Sequence, residues 1–225
     1  MRKITFYFFI LVALAELISV VWNLSLVNWV AKPLIMISLA AYYLTNAPKR
    51  SSIFLWAMAF CWLGDVLLMF QADQLYFMAG LVSFLTGHVL YIVCYRQMRN
   101  TVSKTELLGP QKIRFSLPIV LAGTGLVVVL FPTLGNLTIP VMVYALVITI
   151  MALQALFRFG FTSIRSFTLI FVGALLFMAS DSLLAINKFL TPFPHASLSI
   201  MFTYIAAQYF IAEGSIAHQA NTQTK

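Results

Sequence analysis

Asp65 sits inside "CWLGDVLLMF" (61–70) and Asp181 inside "LFMASDSLLAI" (176–186), and each is the only charge in an otherwise apolar run. A carboxylate in the middle of a membrane span costs ~2.5–3.5 kcal/mol, so it normally faces the protein interior and marks a pathway or a site. Other polar side chains in apolar runs that could act with them are Glu16, Lys32, His88, Tyr91, Tyr144, Tyr204 and Gln208. His88 and Tyr91 are spaced i, i+3 and Tyr204 and Gln208 i, i+4, so each pair shares one helix face. Aspartate, histidine and tyrosine in such places are the material of a proton relay, of a polar ligand site or of a metal centre built from Asp65, His88 and Asp181. Each also has a plainer use. Either aspartate could be a packing carboxylate paired with Lys32, Glu16 could pair with Lys32 or face water, and the histidine and tyrosines could be interhelical hydrogen-bonding residues. The metal reading is the poorest, because no clustered ligand pair exists, and the sequence has no G-x-S-x-G, HExxH or P-loop motif.

The elements that carry these residues follow from composition. Of 225 residues 62% are hydrophobic and 9% charged, and the mean hydropathy is +0.96, which excludes an ordinary soluble domain. Apolar stretches recur along the chain at 4–22, 30–45, 53–70, 75–95, 115–133, 139–157, 167–186 and 196–216, each read as a helix crossing ~30 Å of hydrocarbon. The expectation is an all-α polytopic protein of eight transmembrane helices forming a single integral membrane domain, 1–225. The second span is the shortest and is expected to start near Lys32-Pro33 with some irregularity. The amino-terminal "MRKITFYFFILVALAE" has the layout of a secretory signal, but its apolar run continues past Ala13-Leu14-Ala15 to Trp22, which fits a retained first helix better. Cys61 and Cys94 both fall within spans, which argues against a disulfide framework.

The net charge of +8 is distributed by topology and does not suggest nucleic acid as a partner. Arg2, Lys3, Lys49, Arg50, Arg96, Arg99, Lys104, Lys112, Arg114, Arg158, Arg165 and Lys225 fall on one side, twelve of the fourteen basic residues, with only Lys32 and Lys188 opposite. The positive-inside rule then places both termini in the cytoplasm. A shift of 116 positions lays Asp65 on Asp181 and His88 on Tyr204, consistent with a parallel 4+4 internal repeat whose halves are 1–105 and 106–225. In that frame both aspartates lie about five residues from the non-cytoplasmic ends of their spans, ~8 Å deep.

The motifs "AKPL" (31–34), "LGDVLL" (63–68), "GHVLY" (87–91), "VYALVI" (143–148), "GALLFMASDSLLA" (173–185) and "TYIAAQ" (203–208), in this order and spacing, resemble the YhhN family, whose animal members are the transmembrane 86 proteins, the lysoplasmalogenases. The resemblance covers essentially the whole chain. It implies hydrolysis of the vinyl ether bond of lysoplasmalogen to a fatty aldehyde and glycerophosphoethanolamine or glycerophosphocholine, although bacterial relatives need not share the substrate. A vinyl ether must be protonated at its β-carbon before water can capture the oxocarbenium ion, so the reaction asks for an acid and an anion. Asp65 and Asp181 would be that catalytic pair, by analogy with the glycosidase carboxylates and with neither metal nor cofactor. Lys32 would meet the phosphate, and His88, Tyr91, Tyr144, Tyr204 and Gln208 would complete the substrate-binding set.

Two rivals remain at this level. One is a proton-coupled transporter of a small or amphiphilic solute, which Gly-broken helices would favour and spans three and seven do not display. The other is a metal-dependent lipid amidase or receptor-like protein, which needs a His-rich site. The partners expected are a lysophospholipid and membrane lipid. The short chain without sorting segments points to a bacterial inner membrane.

Overall fold

The computed structural model describes residues 2–70, 73–99 and 107–223; Lys104, Lys225 and the boundary between the halves expected at 105/106 lie outside the described residues. Among those described, the chain is helical with no strand: α1 (Arg2–Val21), α2 (Ser25–Asn46), α3 (Ser52–Leu68), α4 (Gln74–Gln97), α5 (Gly109–Leu130), α6 (Thr138–Leu156), α7 (Ile164–Ala185) and α8 (Ala196–Gln223). Six of these, with their short 3₁₀ and π extensions, are long and apolar enough to cross a membrane: α1, α2, α4, α5, α6 and α7. Helix α3 is shorter, and α8 is the longest but more polar. The chain is therefore an all-helical integral membrane protein. Large apolar side chains such as Leu11, Val128 and Ile139 point outward, which carries no penalty where the surroundings are hydrocarbon.

The chain forms two compact units, Met1–Tyr91 with Gln219–Lys225, and Ile92–His218. In the first, Asn23 takes a left-handed conformation, φ 54°, and the Leu24 N–H donates to the Ser19 carbonyl at 2.8 Å. Asparagine accepts that geometry better than most residues, so the chain reverses sharply and α2 packs along α1. Helix α2 corrects the sequence expectation. It starts at Ser25 and runs through Pro33, so the proline lies within the helix and does not mark its start. The hydrogen bond forfeited at Pro33 is tolerated because the rest of the helix is held by its packing on α1 and α3.

Ser51 caps α3, its hydroxyl accepting from the Phe54 N–H at 3.3 Å, and Ser163 caps α7 in the same way through Ser166. The chain tightens after Leu68, with Met69 donating to the Val66 carbonyl and Phe70 to that of Leu67, so α3 ends earlier than its apolar run does. Asp65 consequently stands three residues from the end of α3, roughly one turn or ~5 Å and nearer the end than the sequence suggested, whereas Asp181 stands four residues from the end of α7 with the π extension carrying its span on to Leu190.

Close helix contacts rest on small residues. The Phe84 ring of α4 packs directly on Gly64, leaving no room for a Cβ, and Ser83 Oγ donates to the Phe60 carbonyl at 2.7 Å. In the second unit Gly173 of α7 meets the Ala207 carbonyl and Ile211 of α8, and Ser180 Oγ donates to the Ile200 carbonyl at 3.0 Å. An open apolar groove of ≈ 410 Å³ between α3 and α4 uses Phe60, Leu63 and Leu67, on the side of α3 opposite Asp65, and so does not form part of that residue's surroundings.

Candidate functional site

In the second unit, α6 and α7 bring Tyr144 and Asp181 together, the phenol donating to Asp181 Oδ2 at 2.5 Å. A hydroxyl–carboxyl bond this short is among the stronger hydrogen bonds a protein makes. Both side chains are half-buried. One turn beyond them, Leu130, Leu134 and Val141 form an apolar cluster with Ala185 and Phe189, closing the ends of α5, α6 and α7. Asp181 therefore has a phenol beside it and hydrocarbon above it.

On α8, Gln208 Nε2 donates to the Tyr204 hydroxyl at 3.4 Å, and the Tyr204 ring meets Phe177 of α7 edge-on, with centroids 5.4 Å apart. Tyr204 and Gln208 are both buried, on the shared face that their spacing required. Past Asp181, α7 loosens into a π turn over Ile186–Leu190, a departure from regular geometry that often accompanies functional sites in helices.

In the first unit Asp65 is 4% exposed, and His88 and Tyr91 are wholly buried on their common face of α4. The Tyr91 ring lies 5.7 Å from Phe54, which in turn contacts Tyr43. Lys32 is half-buried on α2. Glu16 is fully buried; its Oε1 accepts from Asn28 Nδ2 at 2.9 Å, and Ser19 Oγ lies 3.3 Å from Oε2. Lys32 lies one turn beyond Asn28 on the face of α2 that meets Glu16. Of the two uses open to Glu16, facing water does not fit this burial.

Two polar features were not visible as such in the sequence. Asn28 reads as a loop residue until the start of α2 is known. Arg158 reads as a cytoplasmic loop charge, yet it is fully buried: Nη2 donates to Ser166 Oγ at 2.8 Å, Nη1 to the Ser166 carbonyl at 3.3 Å, and the guanidinium faces the Tyr95 ring at 5.9 Å. Burial lowers its pKa to about 10, so it stays charged at neutral pH. The nearby His218 is pushed down to about 4, by burial first and then by the Arg158 charge. In the same unit Glu213 accepts from Arg165 Nη2 at 3.0 Å.

Helices apolar on nearly every face, with isolated carboxyls inside them, Asp65 buried and Asp181 half-buried, define a polytopic membrane protein. A family model described as the YhhN family matches residues 27–215, a span that includes all eight site candidates. The chain belongs to the YhhN family. It is 32% identical to the bovine Lysoplasmalogenase TMEM86A over 77% of this chain and 69% of that protein. It is 34% identical to human Lysoplasmalogenase TMEM86B over 66% of this chain and 56% of the relative, and 30% identical to the Lysoplasmalogenase of Mycobacterium bovis over 67% and 55%. No solved structure matches.

Proposed function

We propose that the protein is a membrane-embedded hydrolase that cleaves the vinyl ether bond of lysoplasmalogen, releasing a fatty aldehyde and glycerophosphoethanolamine or glycerophosphocholine. The reading is supported by family membership with relatives named lysoplasmalogenase, and above all by the 2.5 Å bond between Tyr144 and Asp181 at the edge of an apolar span. A proton passes from a carboxyl to the β-carbon of the enol ether, and the oxocarbenium ion is held by a carboxylate. Water adds to the cationic carbon and gives up a proton. The resulting hemiacetal expels the glycerol oxygen, which takes up a proton as the aldehyde forms, so the sum is one water consumed per bond cleaved. Asp65 and Asp181 are the acid and the anion of this scheme, and Tyr144 fixes the Asp181 carboxyl. Lys32 contacts the phosphate, while His88, Tyr91, Tyr204 and Gln208 bind the glycerol portion and the water.

The finer architecture belongs to the same proposal: eight spans with both termini cytoplasmic in a bacterial inner membrane, and a parallel internal repeat. The repeat is supported by helix register. The shift of 116 carries the Gly64–Phe84 contact of α3 and α4 onto Ser180 and Ile200, which are hydrogen-bonded between α7 and α8.

The deciding experiment supplies purified protein with lysoplasmalogen in heavy water and measures the aldehyde with and without a chelator. The expected result is chelator-resistant release of aldehyde labelled at its α-carbon, the former β-carbon of the enol ether. Aldehyde without that label, after correction for later exchange, would refute carbon protonation, and no aldehyde at all would return the chain to the transporter reading.

A further inference from the structure

The polar knot between α1 and α2 has no part in the bond-breaking scheme, yet it holds one end of the proposed substrate contact. Glu16 is fully buried, with its two carboxylate oxygens next to Asn28 and Ser19. Asn28 and Lys32 are one turn apart on the same face of α2, so the face that meets Glu16 is also the one that carries Lys32. Lys32 itself stays half-buried on that face. A long flexible amine near a membrane boundary would otherwise spread among many positions reaching for water. A buried carboxylate whose own position is fixed by two neutral neighbours limits that spread.

We propose that Glu16 is a positioning residue that fixes the Lys32 ammonium for the phosphate of the lipid headgroup, with Asn28 and Ser19 fixing Glu16 in turn. This rests on the assignment of Lys32 as the phosphate contact. It goes beyond the family match, which begins at residue 27, after Glu16. Glutamine at position 16 can still accept from Asn28 through its amide oxygen and can donate its NH2 to Ser19 Oγ, whose own proton lies toward the Glu16 carbonyl, so Glu16→Gln removes chiefly the charge.

The test measures direct binding of two unreactive saturated analogues, 1-alkylglycerophosphoethanolamine and phosphate-free 1-alkylglycerol, to the full-length protein in detergent micelles. Wild type, Glu16→Gln, Lys32→Gln and the double variant are compared. Lys32→Gln is expected to weaken the phosphate-bearing analogue about tenfold and Glu16→Gln about three- to fivefold, the scale of one partly solvated charge contact. The double variant should be no weaker than Lys32→Gln alone, because Glu16 acts through Lys32. The phosphate-free analogue should bind all four proteins equally, and Glu16→Gln should raise KM for lysoplasmalogen without lowering kcat. Unchanged affinity of Glu16→Gln for the phosphate-bearing analogue would overturn the proposal, as would an equal loss for both analogues. Because these ligands are not cleaved, a failure of the hydrolase reading appears separately, as absence of aldehyde from a protein that still discriminates the phosphate.

Discussion

The α3–α4 and α7–α8 pairs place an aspartate at matching positions and surround it differently. Gly64 packs under an aromatic ring of the neighbouring helix, whereas its counterpart Ser180 reaches a backbone carbonyl. The difference is larger one helix back. Under the shift of 116, Tyr144 of α6 corresponds to Asn28 of α2, and both donate to a carboxyl: Tyr144 to Asp181 on the following helix, Asn28 to Glu16 on the preceding one. Under the proposed repeat, equivalent positions in the two units are donors aimed at different acids. The proposed acid–anion pair asks for such a difference in surroundings, since one carboxyl must carry a proton when the other does not.

The sharpest way to break this comparison is to remove each aspartate in turn. Asp65→Asn and Asp181→Asn are expected to lower kcat by at least two to four orders of magnitude while the protein still inserts and purifies, because each abolishes one half of the acid–anion pair. Aldehyde release near the wild-type rate from either variant would show that the substituted aspartate is not needed for the chemistry.

Tyr144→Phe should have a smaller effect, on the order of ten- to a hundredfold in kcat, since it removes the donor and leaves the carboxyl. The two limbs of the pH–rate profile report the coupled carboxyls as a pair, and this variant should displace one limb more than the other. A parallel displacement of both limbs would mean that Tyr144 does not distinguish Asp181 from Asp65.

Both aspartates were legible in the sequence because hydrocarbon runs make a single charge conspicuous, and the helices themselves were legible for the same reason. The ends were less so. Pro33 looked like the start of α2, when the eight residues 25–32 before it are helical as well, and the apolar run of α3 outlasts its helix because Met69 and Phe70 turn tightly. The Glu16–Asn28 contact depends on the turn that Asn23 makes, which no periodicity announces. Arg158 was read as a topological charge because loop arginines usually are; its burial follows from the chain folding back so that Ser166 can receive it.

Lys32→Gln should raise KM several-fold with little change in kcat, because a phosphate contact outside the reacting bond serves ground and transition states alike. An unchanged KM would leave Lys32 as the counter-charge of Glu16 alone, and would make the first unit's polar knot purely structural.

The smallest expected effect concerns how the two units balance buried charge. In the first, the Glu16 carboxyl accepts from Asn28, one helical turn from Lys32; in the second, the Arg158 guanidinium donates to neutral oxygens of Ser166 and works against a proton on His218. With its folded pKa pushed down to about 4 from an ordinary 6.5, His218 binds fewer protons folded than unfolded between those limits. Stability from this group is therefore fully present above about pH 6.5 and is lost as the pH falls toward 4. The side chain is only partly buried, so solvent moderates the loss, and a fall of a few degrees in melting temperature between pH 7 and 5 is the expected scale, roughly as for a change of about 1 kcal/mol. His218→Gln should flatten that slope, and Arg158→Met should reduce it by removing the repelling charge while lowering stability at every pH through the lost bonds to Ser166. A slope of wild-type size in His218→Gln would assign the acid sensitivity to another group and leave the buried guanidinium without a titrating neighbour.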